Sequence, residues 1–179
     1  MALRNSTAQY GLISKLLHWT LALLMVWLIG LGFYMVGLTY YDRWYNDSLT
    51  WHKSLGMVAL GLALLKLGWW GYNPSPAPLA GLLGWESVGA SIMHALLLAM
   101  LIIIPVSGYL ISTSAGQGVE VFGLFSIPAL VNGGTALRDA AIAVHFYAAY
   151  GTAVLILGHA GAALKHHFIN RDDTLRRML

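Results

Sequence analysis

AAIAVHFYAAYGTAVLILGHAGAAL, the stretch from Ala140 to Leu164, has no Asp, Glu, Lys or Arg and carries two histidines, His145 and His159. A charge-free run of this length is enough to cross the hydrocarbon layer, which takes about 20 helical residues. On a helix rising about 1.5 Å and turning about 100° per residue, the spacing of fourteen separates the two imidazoles by about 21 Å. It leaves them within about 40° of one face. Both point into one interior, near opposite ends of the span. Ionisable side chains in such a place are costly and mark function by default.

Three further charge-poor segments flank this one in the chain: Leu16 to Tyr41, Ser54 to Tyr72 with a single Lys66, and Ser87 to Val119. A chain of 179 residues that is 58% hydrophobic and only 9% charged does not describe a soluble core. The pattern predicts an all-α integral membrane protein, a four-helix bundle in one domain over residues 1–179. The expected helices are about 16–40, 52–72, 88–113 and 140–166. The run Tyr40-Tyr41-Asp42-Arg43-Trp44-Tyr45 reads as an interfacial belt, and Asn73 to Pro78 stops helix 2 with its prolines. Pro105 can kink helix 3, and Asp139 suits the N-cap of helix 4. The long glycine-rich connection from Ser114 to Arg138 is expected to be a surface loop with a short interfacial helix. The first segment outruns the apolar core of a signal peptide and lacks an A-x-A-like site, so it reads as a retained span.

The net charge of +3 comes from few, scattered basic residues, which fits membrane topology and not nucleic acid. With four spans both termini share a side. That side carries Arg4, Lys15, Lys66, Lys165, Arg171, Arg176 and Arg177, against Arg43, Lys53 and Arg138 on the other. The positive-inside bias therefore puts both termini in the cytoplasm. Cysteine is absent, which excludes disulfides, thiolate-held iron–sulfur clusters and covalent C-x-x-C-H haem. A redox cofactor would have to be held by His or Met.

Seven histidines occur, and depth sorts them. His52 and His145 form an outer pair; His18, His94 and His159 form an inner group. Two bis-histidine haem b sites stacked in a four-helix bundle need this arrangement, because each iron takes two opposed imidazoles at equal depth. Filling both axial positions favours electron transfer over direct dioxygen binding. By depth alone His94 could replace His18 as the inner ligand, and periodicity does not choose between them. A zinc site would want four clustered ligands, not two levels. A histidine relay in a transporter or channel would use the same residues, and would give a colourless protein. Lys165-His166-His167 reads as interfacial, snorkelling to headgroups.

Three motifs then make a resemblance: Lys15-Leu16-Leu17-His18-Trp19, Trp51-His52-Lys53-Ser54-Leu55-Gly56, and His145-x13-His159 followed by the stretch from Lys165 to Met178. They resemble the bacterial cytochrome b561 family of small di-haem inner-membrane proteins, over essentially the whole chain. The resemblance implies two haems b, the inner held by His18 and His159 and the outer by His52 and His145. His94 is then left for a ubiquinone carbonyl, or as an alternative ligand. It also implies electron exchange with ubiquinone and superoxide:ubiquinone oxidoreductase activity in the bacterial inner membrane. Arg43, Lys53 and Arg138 flank the outer ligands against the topological trend, as an anion funnel for superoxide would. They could equally pair with Asp42, Asp47, Glu120 and Asp139 or meet lipid headgroups. The other functional expectation is a partner-dependent cytochrome b subunit serving a dehydrogenase or another soluble redox protein. The loop between helices 2 and 3, often basic in the family, has no Lys or Arg here.

Overall fold

Backbone groups that leave water must find their partners within the chain, and helices do this segment by segment. The computed structural model describes residues 2–79 and 83–179. Its four long helices are α1 (Leu12–Met35), α2 (Tyr45–Tyr72), α3 (Gly84–Thr113) and α4 (Gly134–Lys165). Each is long and apolar enough to cross a membrane.

The helix ends differ from the sequence expectation, and local hydrogen bonds explain why. α1 stops at Met35, not near residue 40, because the Asp42 carboxylate accepts from the Thr39 amide (2.6 Å) and hydroxyl (2.7 Å) and turns the chain. This lets α2 begin at Tyr45, with Trp44 as its N-cap, so that the last residue of the expected aromatic belt enters its first turn. α3 starts at Gly84, where the Glu86 carboxylate accepts the Leu83 amide at 3.3 Å. It continues through Pro105. α4 is capped at Gly133, so Asp139 lies within the helix; the Gly134 amide, donated to the Ser114 carbonyl at 2.9 Å, pins the start earlier.

The connection between α3 and α4 holds a hairpin where a short interfacial helix was expected. Strands β1 (Val119–Val121) and β2 (Phe125–Ile127) pair antiparallel, Val119 opposite Ile127. The turn between them places Phe122 at φ 52° and Gly123 at φ 70°, two consecutive positive values that suit a tight hairpin. Val119 and Val121 are buried, and the Phe122 amide donates to the hydroxyl of the fully buried Ser54 on α2 at 2.8 Å.

α1 packs antiparallel on α2, α2 on α3, and α3 along the full length of α4, while α4 meets α1 only sparsely. The described core is thin, with Leu21, Met25 and Leu28 of α1 against Ala59 and Ala63 of α2, and Ile104 and Ala141 on the other pair. Small residues at these positions let the backbones approach. The two ends of the bundle differ. At one, the N-terminal segment, the α2–α3 connection and the C-terminal segment meet. The Asn5 amide donates to Asn73 Oδ1 (3.2 Å), Arg177 Nε to the Ala8 carbonyl (2.7 Å), and Trp19 Nε1 to the Met178 carbonyl (2.8 Å). This is the terminal end; the hairpin closes the other.

Candidate haem sites

α4 carries His145 and His159, and each meets a histidine from another helix at its own level. At the hairpin end the rings of His52 and His145 lie 6.0 Å apart, centroid to centroid, at 74°. At the terminal end His18 and His159 lie 6.2 Å apart at 63°. His94 approaches the same His159 ring, at 5.3 Å. The depth sorting read from the sequence is thus the spatial sorting. The structure keeps both His94 and His18 in the inner group beside His159.

Two axial bonds of about 2 Å plus the two ring radii require a centroid separation near 6 Å, so both pairs can take one iron between them. The surroundings fit as well. Nδ1 of His145 lies 2.9 Å from the Ile104 carbonyl and 3.1 Å from the Ser107 hydroxyl. A carbonyl only accepts, so Nδ1 carries the proton and Nε2 keeps its lone pair, the tautomer a metal-bound imidazole needs. Nδ1 of His52 is buried without a hydrogen-bond partner, and a buried polar atom of this kind calls for something besides protein to satisfy it. Among the described residues no hydrogen bond engages the rings of His18 or His159, and no cluster of three or more His, Asp or Glu could hold a bare metal ion.

Glycines shape the space beside the hairpin-end pair. A Cβ at Gly32 would stand 3.3 Å from His52 Cε1, and one at Gly108 would stand 3.1 Å from His145 Cε1. Gly32, Gly108, Ile104 and Ser107 carry no motif that marks them in the sequence. A glycine one helical face away from a buried histidine was the available signal.

Arg43, Lys53 and Arg138 are all exposed at the hairpin end. None pairs with a carboxylate among the described residues, so the expected pairing with Asp42, Asp47, Glu120 or Asp139 is not made. The Arg43 guanidinium sits 5.7 Å from the Trp44 ring instead. Asp42 is occupied by Thr39, whose amide and hydroxyl hold its carboxyl below the usual range.

Two residues of the triplet at the end of α4 have protein partners, while His167 Nδ1 is buried without one among the described residues. Lys165 donates to Glu86 at 2.7 Å, and His166 meets Asp172 at 2.6 Å. His166–Asn170 forms a π-helical turn that ends at Arg171, a left-handed residue at φ 56°. Burial raises the Asp172 carboxyl, but hydrogen bonds from Thr174 and His166 outweigh it and hold the group at about 2.

Four apolar helices that hold facing imidazoles at two levels describe a membrane electron-transfer protein of the cytochrome b class. The family described as Prokaryotic cytochrome b561 matches residues 9–179. Cytochrome b561 homolog 2 of Escherichia coli (strain K12) is 40% identical over 179 residues, covering 100% of this chain and 95% of that protein. Cytochrome b561 homolog 1 of the same organism is 32% identical over 95 residues, 53% of each chain. A Yersinia pestis protein named Probable superoxide oxidase CybB is 32% identical over 106 residues, 59% of this chain and 56% of its own. The chain belongs to the prokaryotic cytochrome b561 family, multi-pass membrane electron-transfer proteins that use haem b.

Proposed function

We propose that this chain holds two haems b, one between His52 and His145 and one between His18 and His159, and transfers electrons from superoxide to ubiquinone. The observation that carries the reading is the pair of ring separations, 6.0 and 6.2 Å, at the two levels of α4. When bound, haem b supplies a one-electron acceptor and donor at each level.

The residues divide the remaining work by position. Arg43, Lys53 and Arg138 are exposed cations around the hairpin end with no carboxylate partner among the described residues, and they draw a small anion toward it. The hairpin lies over the start of α2, with the Phe122 ring edge-on to Trp51 at 5.5 Å and its amide donating to Ser54. At the terminal end His94 is exposed on the face of α3 yet lies beside His159. An exposed imidazole beside His159 is placed to donate a hydrogen bond to a quinone carbonyl. Two superoxide anions each lose one electron to give dioxygen, and ubiquinone takes both electrons with two protons.

The basic residues at the terminal end, including Arg4, Lys15, Arg176 and Arg177, support a cytoplasmic orientation for it in the bacterial inner membrane. The hairpin end then faces the periplasm. The test is the reduced-haem spectrum and haem content of single alanine variants. His52→Ala and His145→Ala are expected to lose the same haem, and His18→Ala and His159→Ala the other. A colourless wild-type protein, or losses that pair differently, would overturn the assignment.

A further inference from the structure

Fourteen residues separate His52 from Lys66 on α2, the interval that separates His145 from His159 on α4. One level below His52 and on nearly the same face, α2 therefore presents a cation where α4 presents a second imidazole. The packing of α1 on α2 fixes its height. Trp69 Nε1 donates to the Ser14 hydroxyl at 2.9 Å, and Gly32 abuts His52. Both contacts set the antiparallel register so that Lys66 lies across from Leu17 and His18. Its side chain is half-buried.

Lys66 has no carboxylate partner among the described residues, unlike Lys165, which has Glu86. An ammonium inside a membrane span is costly unless something anionic faces it. The haem proposed between His18 and His159 brings two carboxylates of its own, its propionate groups. We propose that Lys66 pairs with a propionate of the terminal-end haem, fixing that haem's orientation and raising its midpoint potential. The inference rests on the ligand assignment above. A positive charge at this level favours the reduced iron, which holds electrons at the end where His94 waits.

The experiment is a redox titration of purified holoprotein with haem content measured in parallel, for wild type, Lys66→Met and Lys66→Arg. The His145→Ala protein, which keeps only the terminal-end haem, assigns the potentials. Lys66→Met is expected to move the terminal-end couple at least tenfold toward the oxidised state, about 59 mV for one electron. The hairpin-end couple stays in place, and Lys66→Arg restores the wild-type value. Lys66→Met with both haems bound and both potentials unchanged would overturn the proposal. So would an arginine variant that shifts as far as the methionine one. If Lys66→Met sheds the terminal-end haem altogether, Lys66→Arg must retain it, and loss from both variants counts against the pairing. Retention of both haems by His18→Ala would instead remove the ligand assignment, whatever the lysine variants do.

Discussion

Gly108 lies so close to His145 that a Cβ added there would stand 3.1 Å from Cε1 of the imidazole. The ring has little freedom to retreat, because its Nδ1 is held at 2.9 Å by the carbonyl of Ile104, which lies on α3 one turn before Gly108. A β-branched side chain at 108 must therefore displace His145 from the level of His52. Gly108→Val is expected to lose the hairpin-end haem and keep the terminal-end one. Haem-to-protein ratio reads this directly. Gly30→Val is the control, since a Cβ at Gly30 meets nothing within 4 Å; equal losses in the two variants would show that the cradle at Gly108 has no special part.

His94 separates ligation from quinone chemistry. Its ring is nearer to His159 (5.3 Å) than the His18 ring is (6.2 Å), yet only His18 stands at the separation that one iron between two imidazoles requires. His94→Ala is expected to keep both haems with unchanged spectra, and to slow ubiquinone reduction about tenfold or more, in the range typical of a lost hydrogen-bonding or proton-transferring side chain. Loss of a haem from His94→Ala, with both retained by His18→Ala, would exchange the roles of the two residues.

The four spans were legible because twenty or so residues without charge leave a chain few other options, and the histidine levels were legible because helical rise converts spacing into depth. The ends of the helices were not. They depend on side chains such as Asp42 on Thr39, and on one amide of Gly134 finding Ser114, contacts that apolar patterning does not encode. The hairpin escaped because three-residue strands give too short an alternation to register, and a positive φ at Phe122 is set by the turn as a whole. Lys66 read as a helix-end cation on the positive side. Only the register of α1 against α2 shows that it stands level with His18.

Superoxide delivery is electrostatic in this scheme and should behave so. Arg43, Lys53 and Arg138 are exposed and have no carboxylate partner among the described residues, so their field reaches solvent but is screened by salt. Stopped-flow reduction of the haems by superoxide is expected to slow about tenfold between low and physiological ionic strength, within the range that steering supplies. Lys53→Glu is expected to slow it at low salt and flatten the salt dependence. A rate indifferent to both would remove the anion funnel. No reduction by superoxide under any condition would pass the role to a soluble redox partner.

Asp172 fastens the turn that follows α4. Its Oδ1 accepts the Thr174 amide at 2.9 Å and its Oδ2 meets His166 at 2.6 Å, which together hold the carboxyl at about 2 against an ordinary value near 3.8. A carboxyl whose folded value lies below its unfolded one stabilises the fold fully above the unfolded value. That contribution disappears as pH falls through the folded value. The turn should therefore hold from neutral pH down to about 4 and loosen between about 4 and 2. Amide exchange at Thr174, corrected for the intrinsic pH dependence, is expected to lose protection across that window. Asp172→Asn keeps the shape but removes the charge, and should show the loosened exchange already at neutral pH, along with faster trypsin cleavage at Arg176 and Arg177. Exchange in the variant as slow as in the wild type would mean that the π-helical turn and the left-handed Arg171 hold the segment without the carboxylate.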